Sequence, residues 1–323
     1  MRAAEIVPFE SGFVAQAANL LAEAHATGAL DLADGDVARR LVARWQGSGP
    51  AVAAVRDGTL TGFMAAGLPR TTGEQRARVR LPQHACVRRD RRATYRSLYA
   101  ALSGQLAAIG AYEHTLAVPV DDREAVSCFF ELGFGVDRIR GFRPVTHAQA
   151  PAPPPRGTRL RTARAEDLEG MFGLAVELQR FHAGSPVLRP APPDLRPIRD
   201  SLRAALSDDA QLLLVAEEHD RLTGLIQAAP DSHHLGAATI GIAAVAAPSR
   251  SAGVGTALVS AVEAWAAVRG FGTYGTEWSS ANQAGDAFWR GRGMVPAQFT
   301  LGRLIDSRVA WADARLDYGR VTP

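Results

Sequence analysis

The chain has 323 residues, of which 47% are hydrophobic and 21% are charged, and its net charge is +3. This length predicts about two domains, each able to bury a core of its own. No stretch reaches the roughly 18 uninterrupted apolar residues of a membrane span. The charge is too small, and too little concentrated, for a nucleic-acid binder. We therefore expect neither a membrane nor a nucleic-acid partner.

The N-terminus and the cysteines favour a cytoplasmic location. The first residues lack the hydrophobic core of a signal peptide. There are two cysteines, Cys86 and Cys128, and neither has a metal-like spacing. We expect both to be small buried hydrophobes, and we expect no metal site. The abundance of Ala, Arg and Gly is typical of bacteria with GC-rich genomes.

The first half of the chain predicts alternating strands and helices. We expect strands at Glu5–Pro8, Val52–Arg56, Thr61–Leu68, Arg78–Val87, Glu113–Val118 and Gly135–Phe142, and helices at Phe13–Ala26, Asp36–Trp45, Thr94–Gly110 and Arg123–Leu132. A Pro/Ala-rich segment follows at residues 147–157, and its composition is typical of a semi-rigid linker. It divides the chain into two predicted domains, residues 1–146 and 158–323.

The second half predicts the same order of elements. We expect strands at Arg159–Thr162, Gln211–Glu218, Thr223–Ala229, Ala237–Val245, Gly272–Ser279 and Phe299–Ile305, and helices at Ala165–Phe181, Asp194–Leu206, Val254–Arg269 and Gln283–Arg290. Asp122 and Asn282 each precede a Gly-hydrophobic pair, at residues 133 and 293, by the same distance. We interpret the halves as two copies of one domain.

A phosphate-binding loop is predicted between the strand that ends at Val245 and the helix that follows. The residues Arg250-x-x-Gly253-x-Gly255 lead into a helix start, where backbone N–H groups lack helical partners and the dipole is positive. The glycines allow close approach and a positive φ, and Arg250 can add a charge-assisted contact. A Rossmann loop would need a third glycine where Leu258 stands, and a Walker loop would need a lysine, so the sequence argues against both.

A second motif follows this loop and its helix. It reads Asn282-x-x-Gly285-x-x-Phe288-Trp289 and ends on the Gly-hydrophobic pair. The two motifs, in this order and separation, resemble the GCN5-related N-acetyltransferase (GNAT) superfamily over residues 237–305, and more loosely over residues 158–306. The resemblance implies an α/β (α+β) fold with two tandem GNAT-like domains. Each would be a mixed, mostly antiparallel sheet with a splayed strand pair, flanked by helices.

The resemblance also implies an acyl-CoA site in the second half, with acetyl-CoA or another acyl-CoA as co-substrate. Backbone groups of the strand end would pair with the pantetheine arm, and N–H groups of the loop would hold the pyrophosphate. The cofactor-binding residues expected on this basis are Ala243, Ala244, Val245, Arg250, Ser251, Ala252, Gly253, Val254, Gly255, Thr256, Asn282 and Trp289.

Acyl transfer to an amine needs a base, because an alkylamine with a pKa of about 10 is mostly protonated at neutral pH. The strand Ala237–Val245 has no carboxylate, although many family members carry a glutamate there. Glu277 on the next strand is the expected substitute. The position is similar to that of a glutamate in bacterial ribosomal-protein acetyltransferases, which acts as the base and lies five residues before the Asn of the second motif.

The general acid is harder to assign from the sequence. Many relatives have a tyrosine where this chain has Trp289, and an indole cannot protonate the leaving thiolate. Tyr274 is a further candidate for the acid. His233 and His234 precede the strand at Ala237 and are expected to be solvated turn residues.

The first half departs from the phosphate-loop pattern. Aligned on the motif, Tyr95 stands at the place of Gly253, and Ser97 at the place of Gly255. Because these side chains would crowd a pyrophosphate, we expect the N-terminal copy to be degenerate. It would have a structural role or complete the acceptor pocket, similar to tandem-GNAT proteins in which one half keeps the chemistry.

The sequence thus predicts an acyl-CoA-dependent N-acyltransferase, in its simplest form an N-acetyltransferase, acting on a small-molecule amine by direct attack in a ternary complex. Three alternatives stay open. One is decarboxylation of a malonyl-type thioester. Another is acyl transfer from a carrier protein or aminoacyl-tRNA. The third is non-catalytic binding of an acyl-CoA. The sequence identifies neither the acceptor nor the oligomeric state.

Overall fold

A computed structural model describes residues 4–25, 34–68, 76–146, 151–232, 234 and 236–312. The chain forms two compact units. The first unit contains Met1–Arg138 and Ala297–Pro323, and the second contains Ile139–Pro296. No helix among the described residues is both long and apolar enough to cross a membrane.

The helices and strands follow the alternation that the sequence predicts. In the first half they are β1 (Glu5–Pro8), α1 (Val14–Ala24), α2 (Gly35–Trp45), β2 (Ala51–Arg56), β3 (Thr59–Ala65), β4 (Arg76–Val79), β5 (His84–Cys86), α3 (Arg91–Ala108), β6 (Glu113–Pro119), α4 (Arg123–Glu131) and β7 (Gly135–Pro144). In the second half they are β8 (Arg159–Thr162), α5 (Leu168–Ala183), α6 (Arg196–Ala205), β9 (Leu212–Glu218), β10 (Arg221–Pro230), β11 (Ala237–Val245), α7 (Val254–Val268), β12 (Thr273–Ser279), α8 (Gln283–Gly291) and β13 (Val295–Leu304).

In the first unit, the strand order β1-β2-β3-β5 forms one sheet, and β4, β6 and β13 are neighbours in another. Alternate residues of the first sheet face two different helical layers, as the pleat requires. Ala53, Phe63 and Ala85 pack with α1 and α2. Met64 and Cys86 pack with α3. Because both faces are covered, these strands are apolar along most of their length.

The second unit has the strand order β12-β11-β10-β9-β8, and β7 lies next to β12. Its core on one face is built from α5, α6 and the central strands, and includes Met171, Leu202, Val215 and Leu225. On the other face, Leu258 of α7 lies against Gly224 of β10. The mixed sheet flanked by helices is the fold class that the sequence predicts.

The single strand expected at Arg78–Val87 is instead two strands. β4 pairs with β6, whereas β5 pairs antiparallel with β3. Residues Leu81–Gln83 form a 3-10 turn between them, with Pro82 at its start. A proline has no N–H to give to a ladder, so a strand interior is a poor place for it.

Equivalent helices of the two halves begin and end in the same way. α4 and α8 each have nine residues. The side chain of Asp122 accepts a hydrogen bond from the N–H of Ala125 at 3.1 Å. The side chain of Asn282 accepts one from the N–H of Gly285 at 2.9 Å. Such caps satisfy the free N–H groups at a helix start. The local repeat seen in the sequence is therefore repeated in the structure.

The boundaries of the compact units differ from the predicted linker at residues 147–157. They fall within β7 and within β13, after residues 138 and 296. The residues of β13 from Gln298 to Leu304 pair antiparallel with β6, inside the first unit. The final strand of the second half is thus part of the first unit's sheet.

We expect Gly275→Ala to destabilise the protein, because a Cβ at this position would lie 2.6 Å from the Phe142 ring and 2.7 Å from the carbonyl oxygen of Gly141. Overpacking of this kind costs about 1–3 kcal/mol. The matched control is Gly104→Ala in α3, where a Cβ would meet nothing within 4 Å. The control should be neutral or slightly stabilising. Urea unfolding of both variants checks this, and equal stabilities would contradict it.

Candidate active site

The strands β11 and β12 separate partway along their length. They pair in parallel from Ala237 with Thr273 to Ile240 with Thr276. Beyond that point β11 continues antiparallel to β10, as far as Val245 opposite Gly224. Among the described residues, one edge of β11 from Gly241 to Val245 therefore has no strand partner. We call the space between the separated strand ends the notch.

A β-bulge lies where the strands separate. Gln227 of β10 pairs with Ile242, but the next residue, Ala228, pairs with Ile240. Gly241 is thus the extra residue on β11. A bulge of this kind bends its strand and increases the local twist, which directs the end of β11 away from β12.

The loop after β11 leads to the start of α7, a helix of fifteen residues. Its N-cap, Gly253, has φ +95° and carries no side chain to cap the helix. Within the described part of the chain, the backbone N–H groups of Ser251, Ala252 and Gly253 donate to no other residue. The first turn of α7 adds further N–H groups without helical partners and a positive dipole end. This end of the notch is therefore suited to an anion.

The two loop glycines are needed for different reasons. Gly253 has a left-handed backbone, which a residue with a side chain rarely adopts. Gly255 lies against α8, where a Cβ would come within 3.3 Å of the ring of Phe288. A side chain at 255 would have to displace that ring or project into the space over the loop.

Arg250 is bonded within its own unit. Its Nε donates to the carbonyl oxygen of Val245 at 3.0 Å, and its Nη2 donates to Glu177 of α5 at 3.0 Å. Glu177 also accepts from the N–H of Ala247 at 2.9 Å, and the guanidinium lies over the ring of Phe181. The arginine thus ties the loop to α5. Its expected contact with a phosphate stays a prediction.

The Pro/Ala-rich segment contacts α7, the helix that follows the loop. The N–H of Ala152 donates to the hydroxyl of Ser260 at 2.7 Å. The Cγ atom of Pro155 lies 3.6 Å from where a Cβ of Gly253 would be. The described part of this segment therefore lies along α7, with Pro155 beside the loop.

The residues expected from the second motif lie on α8. Asn282 caps this helix through its side-chain oxygen, as described above. Trp289 is buried and contacts Phe288 in a T-shaped arrangement, with ring centroids 5.0 Å apart. Because Phe288 also lies against Gly255, the aromatic pair connects α8 to the loop. Binding of a cofactor by Asn282 and Trp289 stays a prediction.

Glu277 directly follows the last paired residue of β12, at the mouth of the notch, and it is exposed. Tyr274, the candidate acid, is placed differently. It lies in the paired part of β12, and its hydroxyl donates to Glu263 of α7 at 3.3 Å. Burial, together with the neighbouring Glu263 carboxylate, raises the pKa of Tyr274 to about 12. A buried phenol bonded to α7 is a poor proton donor for chemistry in the notch.

His234 is buried, so the expectation of a solvated turn residue is wrong for it. The side chain packs on Phe142, with ring centroids 4.7 Å apart. Its Nδ1 lies 3.6 Å from the Asp231 carboxylate, which also forms a salt bridge with Arg140. Local sequence patterns do not indicate this packing, because Phe142 is distant along the chain. His233 lies outside the described residues.

The first unit can be compared with the second at the notch. Its strand β5 corresponds to β11, because each is paired antiparallel with an equivalent strand, β3 or β10. Cys86 pairs with Gly62, as Val245 pairs with Gly224. His84 therefore occupies the position of Ala243. The two glycines of these pairs also contact equivalent helix residues, Thr94 and Leu98 in one unit, Val254 and Leu258 in the other. Tyr95 accordingly occupies the position of Gly255.

This register corrects the alignment made from the sequence, in which Tyr95 stood at Gly253 and Ser97 at Gly255. The cause is the loop length. Only residues 87–90 separate β5 from α3, whereas residues 246–253 separate β11 from α7. In the second unit, the longer loop before the helix supplies the free N–H groups. The described loop of residues 87–90 in the first unit is too short to do the same.

The space equivalent to the notch is filled in the first unit. His84 is buried between Tyr95 and β6, with its Nδ1 3.1 Å from the Tyr95 hydroxyl and its Nε2 2.6 Å from the carbonyl oxygen of Ala117. Ala117 follows the last β4–β6 pair, as Glu277 follows the last β11–β12 pair. Because a carbonyl only accepts, Nε2 carries the proton and Nδ1 accepts from Tyr95. We call His84 and Tyr95 the plug.

The chain is similar to solved structures along most of its length, and these similarities define its fold. A GCN5-related N-acetyltransferase from Sphaerobacter thermophilus has 17% identity and a TM-score of 0.67, over 93% of this chain and 94% of that chain. A tandem GNAT protein from the clavulanic acid biosynthesis pathway has 17% identity and a TM-score of 0.61, over 93% and 97%. A GNAT-family acetyltransferase from Colwellia psychrerythraea has 14% identity and a TM-score of 0.56, over 94% and 100%. The chain therefore shares the fold of these three proteins.

Residues 177–294 match the family model described as the acetyltransferase (GNAT) family. This segment lies within the second unit and includes the notch and the loop. The match therefore covers the part of the chain that carries the two sequence motifs. No curated protein matches the sequence significantly.

Both cysteines are free and buried, as expected, and the described residues hold no cluster of side chains that could bind a metal ion.

The free energy of unfolding should fall on acidification, because His84 of the plug is buried in its neutral form. Complete burial lowers the pKa of His84 from 6.5 to about 4. A histidine with a lower pKa in the folded state contributes its full stability above pH 6.5, and loses it as the pH falls toward 4. The loss amounts to about 3 kcal/mol. Urea unfolding between pH 7 and pH 4.5 should therefore show a shallower pH dependence for His84→Gln than for the wild type.

The control for this measurement is His219→Gln, because the His219 side chain is 89% exposed. Its pH dependence should match that of the wild type. A wild-type slope in His84→Gln would show that His84 is not buried in its neutral form.

Proposed function

We propose that the second unit transfers an acyl group from an acyl-CoA, in the simplest case acetyl-CoA, to the amine of a small molecule. The observation that carries this proposal is the notch, which opens beside the free N–H groups at the start of α7. We propose a small-molecule acceptor by analogy with the tandem GNAT protein from the clavulanic acid biosynthesis pathway, which shares this fold. We propose a cytoplasmic location, because acyl-CoA is available in that compartment.

The residues fit the two polar parts of CoA. The partnerless edge of β11 from Gly241 to Val245 offers backbone donors and acceptors for the amides of a pantetheine arm. We assign the pyrophosphate to the N–H groups from Ser251 to Thr256, because they follow the end of β11 and those of residues 251–253 donate to no other described residue. The equivalent space in the first unit holds the plug, so we assign binding to the second unit alone.

When bound, acyl-CoA supplies a thioester that is reactive toward amines. Glu277, at the mouth of the notch, accepts a proton from the acceptor amine and so makes its nitrogen nucleophilic. The N–H groups on the free edge of β11 polarise the carbonyl oxygen of a group bound there. The indole of Trp289 has no proton of useful acidity, so protonation of the leaving thiolate falls to water.

Direct attack is favoured over a covalent acyl-enzyme. The chain has two cysteines, and both are buried in the first unit. Burial raises the pKa of Cys86 to about 12, which keeps this thiol protonated and unreactive. Neither cysteine can therefore act as the nucleophile toward a thioester bound in the notch.

Gly255→Asp should weaken CoA binding, because it adds a carboxylate where the pyrophosphate would lie and pushes against Phe288. We expect the Kd for CoA to rise more than tenfold in isothermal titration calorimetry. The matched control is Gly173→Asp in α5, where an added Cβ meets no atom within 4 Å. The control should bind CoA like the wild type. Normal binding by Gly255→Asp would refute the loop assignment.

Glu277→Gln should lower kcat without changing CoA binding. A positioned base contributes about 10²- to 10⁴-fold to a rate, so kcat should fall by at least 100-fold while the Kd for CoA stays within twofold. Release of free thiol from acetyl-CoA, with a panel of amines, measures this. Glu218→Gln, at the end of β9, serves as the control. An unchanged kcat in Glu277→Gln would exclude it as the base, and CoA binding without turnover of any amine would favour a non-catalytic module.

A further inference from the structure

One face of the second unit's sheet carries polar side chains beside the bulge. Tyr274 points to α7, so Glu277, which is an odd number of residues away on the same strand, points to the opposite face. Gln227 is two residues from Leu225, which packs in the core with α5 and α6 on that opposite face. Gln227 and Glu277 therefore share the face that does not carry α7.

A chain of hydrogen bonds fixes the orientation of the Gln227 amide. Asp208 accepts from the side-chain nitrogen of Gln211 at 2.8 Å. The side-chain oxygen of Gln211 then accepts from the side-chain nitrogen of Gln227, also at 2.8 Å. A carboxylate only accepts, so it determines which way each amide turns. As a result, the Gln227 nitrogen points toward Gln211, and the Gln227 oxygen points away from this series of hydrogen bonds.

That oxygen lies beside the bulge. The Oε1 atom of Gln227 is 3.9 Å from where a Cβ of Gly241 would be, and no other described atom lies within 4 Å of that point. Gly241 is exposed and has no side chain, so the surface over it is open. Gln227 lies on β10, on one side of β11, and Glu277 follows the last residue of β12 that pairs with the other side, so two side chains with acceptor oxygens border the region of the bulge.

We propose that Gln227 binds the N–H groups of the acceptor amine over Gly241, and thereby selects a primary amine or ammonium group. This inference rests on the proposed function. A hydrogen-bond acceptor of fixed orientation, opposite a carboxylate, matches a group that is rich in donors and positively charged. It disfavours an acceptor group that presents only oxygen lone pairs. Gln227 holds the nitrogen, and Glu277 takes its proton.

The test uses the full-length chain, acetyl-CoA and the primary amine from the panel that is turned over fastest. Gln227→Leu removes the oxygen and keeps the size of the side chain. We expect its KM for the amine to rise about tenfold, with the Kd for CoA within twofold of the wild type. Gln227→Glu keeps an acceptor oxygen at this place but cannot donate to Gln211, so its KM should rise less than that of Gln227→Leu.

A pair of surface variants tests the orientation of the amide. Asp208→Asn lets the Gln211 and Gln227 amides turn over, so we expect the KM for the amine to rise two- to threefold. Asp209→Asn changes the neighbouring exposed carboxylate, which takes no part in the chain, and should leave KM unchanged. Because both positions are exposed, these variants stay informative even if Gln227→Leu does not fold.

The outcomes separate the inference from the proposed function. Turnover of amines by the wild type, with the same KM in Gln227→Leu or in Asp208→Asn, would overturn the role of Gln227 and leave the acyltransferase intact. Binding of CoA by the wild type without turnover of any amine would overturn the proposed function, and this inference with it.

Discussion

The separation of β11 from β12 is the constraint on which the rest of the second unit depends. The two strands pair through only four residues each, and a bulge at Gly241 then bends β11 away. The bulge leaves backbone groups of β11 without a strand partner, places Glu277 at the mouth of the opening, and exposes the surface over Gly241. The following loop is held by Arg250, whose bonds to Val245 and Glu177 connect it to both the strand end and α5.

Side-chain size decides whether such an opening can receive a ligand. The first unit has the same arrangement of strands and helix, yet His84 and Tyr95 occupy the places of Ala243 and Gly255. These two large buried side chains, bonded to each other, fill the space that stays open in the second unit. The two units thus differ at this point, since one leaves a space between its strand ends and the other fills the equivalent space with packed side chains.

The local patterns of the sequence predicted much of this architecture. The glycine loop, the repeated spacing after Asp122 and Asn282 and the order of elements depend on neighbouring residues, so they can be inferred without a structure. Features that depend on distant partners could not. The break at Pro82, the true register of Tyr95 and the burial of His234 against Phe142 arise from strand pairing and packing, which sequence spacing does not encode. The amide chain through Gln211 was missed for the same reason.

The assignment of β13 to the first unit has a practical meaning for dissecting the molecule. A gene cut at the proline-rich segment would encode two polypeptides that do not coincide with the compact units. The N-terminal product would lack the strand that pairs with β6, and the C-terminal product would lack the residues of β7 that belong to its own sheet. Autonomous fragments would instead require rejoining the chain in a new order, with each terminal strand returned to the sheet that it completes.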